Sequence, residues 1–412
     1  MSDIDGLEYS LVREELEYSS TYFYRAWISN GKEELASEVR SVTTDDAPVP
    51  PEPPVDKIII FKDPAVKSIC VANWDSDGDG ELSRDEAAAV RDIGSVFENN
   101  SEIRYFDEFE CFTGVKWISD CAFSDCVNLE TINLPESLMT LGRWVFRKCY
   151  NMNLEGLPSS MREIGEGAFE KCYKISWESL PEGIAVIDQG AFCDCSNLRL
   201  TKLPSKLTAV YLNTFFRCDE LRLTELPSGI TFIGSSAFCG ARKITLTSLP
   251  SEVNIIEYDA FSGCSSLMLD KLPDSLRDIG SGAFQNCERL SITELPSKLK
   301  EIQERTFANC IVIQSLELPS ELTRIHTRAF EGCRFQKVTI PEKVERIDAD
   351  AFVGCKWLSS VTLLAETPPE MYDTNLGSYL DVIYVPASSL EKYRSASGWS
   401  LWKDKFKPLA SE

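Results

Sequence analysis

The 412 residues, 43% of them hydrophobic, can bury a large core and hold two or three structural units. Lys and Arg total 42 against 65 Asp and Glu, a formal charge of −23, so nucleic acid and anionic membrane surfaces are repelled. With a single histidine, His326, most imidazole-dependent triads and metal sites are excluded, and no run approaches the roughly 18 apolar residues that span a bilayer, so this chain is expected to insert nothing into a membrane.

The first residues, MSDIDGLEYS, lack the apolar region of a signal peptide, and any export signal is expected upstream of Met1. Over residues 1–44 the runs YFYRAWIS and EVRSVTT, separated by NGKEE, predict short strands around a turn. The stretch LEYSSTYFYRAWISNGK resembles the later strands of a fibronectin type III-like sandwich, with Tyr22 at the tyrosine-corner position; about half of such a domain is present. Residues 45–56, DDAPVPPEPPVD, form a proline-rich linker that favours extended polyproline geometry.

Residues 57–108 are expected to form a small helical cap. Asp63 and Pro64 start a helix well. After it comes D-S-D-G-D-G-E-L-S-R-D-E, residues 75–86, which matches the EF-hand pattern at every position. Asp75, Asp77 and Asp79 supply hard carboxylate oxygens, Glu81 offers its carbonyl, Ser83 acts through water, and Glu86 can bind Ca²⁺ bidentately. Gly80 permits the sharp turn and Leu82 anchors the loop inward. EF-hands usually work in pairs and no second loop is present, so the expectation is one calcium ion acting as a structural clip rather than a sensor. The plainer reading is a solvated acidic turn.

From residue 109 to 363 the sequence is periodic. Phenylalanine recurs every 23 residues from Phe123 to Phe330, then at Phe352 after 22, which marks eleven units. Proline keeps the same beat from Pro135 to Pro319 and then at Pro341, and cysteine follows each phenylalanine by three, with Ala241 as the exception. A period of 20–29 residues with leucines at fixed offsets marks a leucine-rich repeat solenoid, whose turns bury their apolar sides only against one another. In CSNLRLTKLPSKLTAVYLNTF, the group Leu198, Leu200 and Leu203 is expected to form the parallel strand, Pro204 to turn the chain out of it, Leu207 to Val210 a second extended segment, and A-F-x-x-C a tight helical turn.

The pattern L-P-x-x-L-x-x-I-x-x-x-A-F-x-x-C, as in LPSSMREIGEGAFEKC and LPDSLRDIGSGAFQNC, resembles the BspA-like leucine-rich repeat family of bacterial surface proteins. Residues 364–412, with VIYVPASSLEKYRSASGWSLWKDKF, resemble the closing segment of that family and are expected to cover the last open turn, with Trp399, Trp402 and Phe406 as its apolar plug. The resemblance implies an extracellular, cell-surface location.

The ten repeated cysteines read as a column of small buried side chains rather than a disulfide or metal ladder: Ala241 shows that the position needs no sulfur, and no C-x-x-C spacing suggests zinc. Trp177 takes a ladder position and belongs to the core, and His326 fills a slot held by Gly142, Gly165, Gly234 and Gly280, on the solvent side. No catalytic constellation appears, so an enzyme is not expected. The expected function is a non-enzymatic surface module that binds protein or mediates adhesion through a solenoid face, with Arg199, Arg222, Thr245, Met268 and Ser291 as its candidate ligand-binding residues. The alternative is a glycan-binding accessory of polysaccharide uptake.

Overall fold

The computed structural model describes residues 20–25, 27–29, 34–43, 58–371, 376 and 379–410. The chain divides into two units, Met1–Lys57 and Ile58–Glu412. In the first, Thr21–Tyr24 pairs antiparallel with Arg40–Thr43 and Trp27–Ser29 with Glu34–Ala36. Both expected runs thus carry strands, the first split in two, and Tyr22 stands opposite Val42. The linker over 45–56 lies outside the described residues, as do residues 1–19.

The second unit is a parallel β-solenoid of about 13 turns with little helix. It begins with helix α1 (Pro64–Trp74) and helix α2 (Arg84–Ala89). Pro64 sits in the first turn, where a missing N–H is harmless, and the Asp63 carboxylate accepts the Ala65 N–H at 2.9 Å. Its second oxygen accepts the N–H groups of Arg104 at 2.6 Å and Tyr105 at 3.2 Å. One buried carboxylate therefore ties the helical cap to the first strand of the solenoid, Tyr105–Phe106.

The regular ladder differs from the expected one. Through the middle of the solenoid the parallel strands are the segments after the proline: Ala209–Val210 pairs with Phe232–Ile233, that with Ile255–Ile256, and that with Asp278–Ile279. The segment before the proline is assigned as strand only near the ends, at Tyr105–Phe106, Thr131–Ile132, Lys337–Ile340 and Ser360–Leu363. The reason lies in the spacing of apolar residues. In KVTI and SVTL, burial alternates strictly up to the end of the segment, as a pleated strand requires. In the middle units the order is Leu198, Leu200, then Leu203, and two exposed residues, Thr201 and Lys202, interrupt the alternation. The turns stay in register there: Leu200, Leu223 and Leu246 are all buried, and Arg222 N–H donates to the Leu200 carbonyl as Thr245 N–H does to Leu223, each at 3.0 Å. What is lost is the evenly spaced set of ladder bonds.

On the other side of each turn, A-F-x-x-C closes as a tight turn with i to i−3 bonds, such as Cys195 N–H to Phe192 O at 3.0 Å. The phenylalanines form one continuous ring stack from Phe97 to Phe352, with centroids 5.1–5.8 Å apart and planes within 18° of parallel. Phe97 belongs to no repeat motif yet supplies the first ring. Beside the stack the ten repeated cysteines are free and buried. Each thiol reaches the carbonyl of the phenylalanine one turn back, as Cys195 does to Phe169 at 3.0 Å and Cys218 to Phe192 at 3.1 Å. Trp177 lies in the core as expected, edge-on to Phe169 and Phe192, with its indole N–H donated to Leu154 O at 2.6 Å.

At the far end Val382–Val385 and Phe406–Pro408 extend the sheet in parallel, with α3 (Leu390–Ser395) between them. The plug consists of Trp399 and Phe406, as expected, together with Tyr393, whose hydroxyl donates to Ala365 O at 2.8 Å. Trp402 is only partly buried against this cluster.

Candidate functional site

Two places carry the residues singled out from sequence. The first is the loop between α1 and α2. Asp75 anchors it from its start: one oxygen accepts Gly78 N–H at 2.7 Å and the other accepts Gly80 N–H at 2.9 Å, with Gly80 at φ +85°, a conformation open to glycine. Asp77 accepts the N–H of Asp79, and Asp79 accepts that of Glu81 at 2.8 Å. Leu82 is fully buried, and its carbonyl accepts Ile59 N–H at 2.8 Å. A short strand segment entering the unit thus occupies the side of the loop where a paired EF-hand would place its second loop.

Among the described residues, the structure brings carboxylate oxygens of Asp75, Asp77 and Glu86 within 4.8 Å of one another. Asp79 is outside that group. The Glu81 side chain turns away to Lys67, 2.6 Å from its Nζ, which leaves its main-chain carbonyl as the group it can offer a cation. Glu86 accepts hydrogen bonds from the backbone and hydroxyl of both Ser76 and Ser83, at 2.7–2.9 Å. The amides of Ser83 and Ser76, then the Ser76 hydroxyl, draw its carboxyl down to about 2, so it is charged at all ordinary pH. Asp77 shows the opposite stress: the Asp79 amide pulls it down, but desolvation and the charges of Asp79, Glu86 and Asp75 outweigh that and hold it above its usual value. Crowded oxygens whose mutual repulsion is unrelieved are the donor chemistry that a hard divalent cation fits.

The second place is the solenoid surface. Arg199 and Arg222 are exposed, and Thr245, Met268 and Ser291 half-buried. They stand in one column, since each donates its N–H to the turn before, Met268 to Leu246 and Ser291 to Leu269 among them. His326 keeps a surface position but is half-buried in an ion-pair cluster, its ring 19% exposed, with Nε2 2.7 Å from Glu301 and Nδ1 3.4 Å from Asp348. Arg324 and Arg346 close on the same Asp348. For Asp348 desolvation pushes the carboxyl up, but the Arg346 and Arg324 guanidiniums prevail and hold it below the usual range.

A further surface set, half-buried at Ala209 and Phe232 and exposed at Ile255, was not singled out from sequence and lies on the regular ladder. Ala209, Phe232 and Ile255 are register neighbours on its outer side, and Tyr211, Leu212 and Tyr258 beside them are 39%, 43% and 56% exposed. A signal was available: the turns LTAVYLNTF and ITFIGSSAF contain no charged residue in a chain that is 26% charged.

The model of the BspA type leucine rich repeat region matches in six copies over residues 116–245 and 231–359. Among solved structures, a leucine-rich repeat protein from Bacteroides ovatus aligns with 98% of this chain and 100% of its own, at 21% identity and a TM-score of 0.58; that likeness concerns the fold. A leucine rich cell surface protein from Faecalibacterium prausnitzii aligns with 66% of this chain and 83% of its own, at 26% identity and a TM-score of 0.46. No curated protein matches the chain.

Proposed function

Since the chain belongs to the BspA-type leucine-rich repeat family, we propose that it is a non-enzymatic interaction module of the bacterial cell surface that binds protein through its solenoid, with one Ca²⁺ clipping the helical cap. The observation that carries this reading is the strict register of the turns. It stacks surface side chains into columns such as exposed Arg199 and Arg222 with half-buried Thr245, Met268 and Ser291, while the repeated thiols are turned inward onto phenylalanine carbonyls. Such a surface offers a continuous face and needs no catalytic group. Among the described residues no helix is long and apolar enough to cross a membrane. In this reading residues 1–44 are part of a fibronectin type III-like β module preceding the solenoid.

In the cap, Asp75, Asp77 and Glu86 would hold the cation through carboxylate oxygens, with Asp79 and the Glu81 carbonyl completing the set. The ion would neutralise the repulsion that lifts Asp77 and would stiffen the joint at Ile59 and Leu82. The discriminating experiment is a protein-binding screen run beside a glycan array, on wild type and on Arg199→Ala/Arg222→Ala. Protein hits support the module reading. Specific glycan binding with no protein hit replaces it by the glycan-accessory alternative, and turnover of any substrate refutes both.

A further inference from the structure

The outer column of the central ladder runs Glu163, Val186, then Ala209, Phe232, Ile255 and Asp278, with register pairing on each side of a single break. Four apolar residues therefore stand in line between two carboxylates. The core side of these strands is filled by their inward neighbours Ile187, Val210, Ile233 and Ile256, which are 0–2% exposed, while the outward side chains stay at the surface, half-buried at Val186, Ala209 and Phe232 and 36% exposed at Ile255. They do carry a cost, because a contiguous apolar surface on a soluble domain promotes association. Tyr211, Leu212 and Tyr258 widen the patch along the chain direction. Three turns at a strand spacing of about 4.8 Å give it a height of about 10 Å, enough for about two same-face side chains of a strand or about three of a helix.

The rim decides what can cover it. Glu163 and Asp278 are exposed, and Asp188 and Glu257 are half-buried at the edge. Glu257 is held there by the Ser235 N–H and hydroxyl, at 2.9 and 2.8 Å. Arg162 and Arg277 also flank the column; the Arg162 guanidinium is turned onto the Ser159 and Met161 carbonyls, while Arg277 is exposed beside Asp278, so the acidic character is strongest along Glu163, Asp188 and Glu257. A second copy of this chain would bring the same acidic rim against itself, on molecules of formal charge −23, and an anionic membrane is disfavoured for the same reason. A sugar would find the rings of Tyr211, Phe232 and Tyr258, but the aliphatic Leu212, Ile255 and Ala209 among them bring no hydrogen-bonding group for its hydroxyls.

Resting on the protein-binding reading above, we infer that this patch is the docking surface for a polypeptide segment with an apolar core flanked by lysine or arginine. The full chain is titrated with three labelled peptides by fluorescence anisotropy: a leucine–phenylalanine core between pairs of lysines, the same core between pairs of glutamates, and a serine core between lysines. A panel of neutral oligosaccharides is added as competitor.

The lysine-flanked apolar peptide should bind at least about tenfold more tightly than either control, and Leu212→Ser/Tyr258→Ser should lose about tenfold, as truncated anchors do. Ile255→Lys should weaken the lysine-flanked peptide and strengthen the glutamate-flanked one, which separates a local charge effect from misfolding; thermal melts confirm the fold of each variant. Equal binding by all three peptides, no binding by any, an unaffected double variant, or displacement by a sugar overturns the inference. A protein hit from the screen that is lost in Arg199→Ala/Arg222→Ala but kept in Leu212→Ser/Tyr258→Ser overturns the patch and leaves the module reading standing.

Discussion

Replacing Cys218 by alanine tests whether the cysteine column contributes to stability or merely fits. Its side chain is fully buried, and its thiol donates to Phe192 O at 3.1 Å, a carbonyl that also receives Cys195 N–H at 3.0 Å. Alanine removes one sulfur, comparable to a methylene at about 0.8 kcal/mol of burial, leaves a small cavity worth about 0.4 kcal/mol more, and loses a weak S–H donor at about 0.5 kcal/mol. The carbonyl keeps its backbone partner, so no further penalty for an unmade bond arises. The total is about 1.5–2 kcal/mol. Serine should be no better: its hydroxyl lies closer to Cβ, stretches the bond to Phe192 O and puts a poorly satisfied polar group into the core at about 1–3 kcal/mol.

Long repeat arrays depart from two-state unfolding, so the readout is amide hydrogen exchange over the turns from 192 to 238, where about 1.5–2 kcal/mol appears as a roughly ten- to thirtyfold faster opening. The converse change, Ala241→Cys, should slow the same amides, because Phe215 O is the ladder carbonyl that a thiol at position 241 would reach. An alanine variant that exchanges no faster would refute the packing account, and a serine variant as protected as wild type would show that the hydrogen bond alone sets the position.

Thiol titration should find the half-buried Cys121, Cys193 and Cys239 reacting ahead of the ten column cysteines, which should react only in denaturant; even Cys193 should be slow at pH 8, since desolvation first, then the Asp194 charge, pushes its thiol up to about 12. Asp63→Ala removes a helix cap and leaves the Arg104 and Tyr105 amides without their acceptor, for a loss of about 2–4 kcal/mol in urea unfolding at pH 7. Desolvation raises the Asp63 carboxyl, but the amides of Arg104, Tyr105, Ala65 and Val66 hold it below its ordinary value, so its contribution is complete above an unfolded-state pKa of about 3.9 and fades as pH falls through the lower folded value; the gap between variant and wild type should narrow at pH 2–3, and a constant gap would contradict this. Calcium added after chelation should raise the thermal midpoint, by about 2.7 kcal/mol of stabilisation at a hundredfold excess over Kd, with magnesium a poor substitute and Glu86→Gln insensitive to either; an unchanged melt removes the site.

Much of the solenoid was legible because each turn repeats the same demand. Phenylalanine and cysteine at fixed phase declare a buried column whatever the surrounding residues do, and the ring stack and buried thiols follow. The register of Leu200, Leu223 and Leu246 followed from the 23-residue period alone. Two features were hidden for opposite reasons. Phe97 joins the stack from outside the motif, at a spacing of 26 residues from Phe123, so periodicity gives no sign of it. The thiol bonds to phenylalanine carbonyls are one turn apart in space but 26 residues apart in sequence, as for Cys218 and Phe192, and nothing in composition distinguishes a donor from an inert apolar side chain.

The strand placement was recoverable, and it governs which surface is presented. A strict period-two alternation is not what the middle of the chain contains: after Leu198 and Leu200 the next apolar residue is Leu203, whereas Val338 and Ile340 run in step to the end of their segment. A two-residue gap of exposed side chains cannot sit in a pleated strand with one buried face, so the regular pairing passes to the segment after the proline, where Val210, Ile233 and Ile256 each face inward beside a single outward neighbour. The column Arg199 to Ser291 then lies on the less regular of the two faces, and the column Val186 to Ile255 on the ladder. In the acidic loop between α1 and α2 the reverse holds. There the pattern named the carboxylates of Asp75, Asp77, Asp79 and Glu86, of which all but Asp79 fold into one cluster, but it was silent on Lys67, whose ion pair turns the Glu81 carboxylate outward and leaves only its carbonyl for a cation. Local spacing can name the donors of a loop, while the direction of each donor is set by partners elsewhere in the chain.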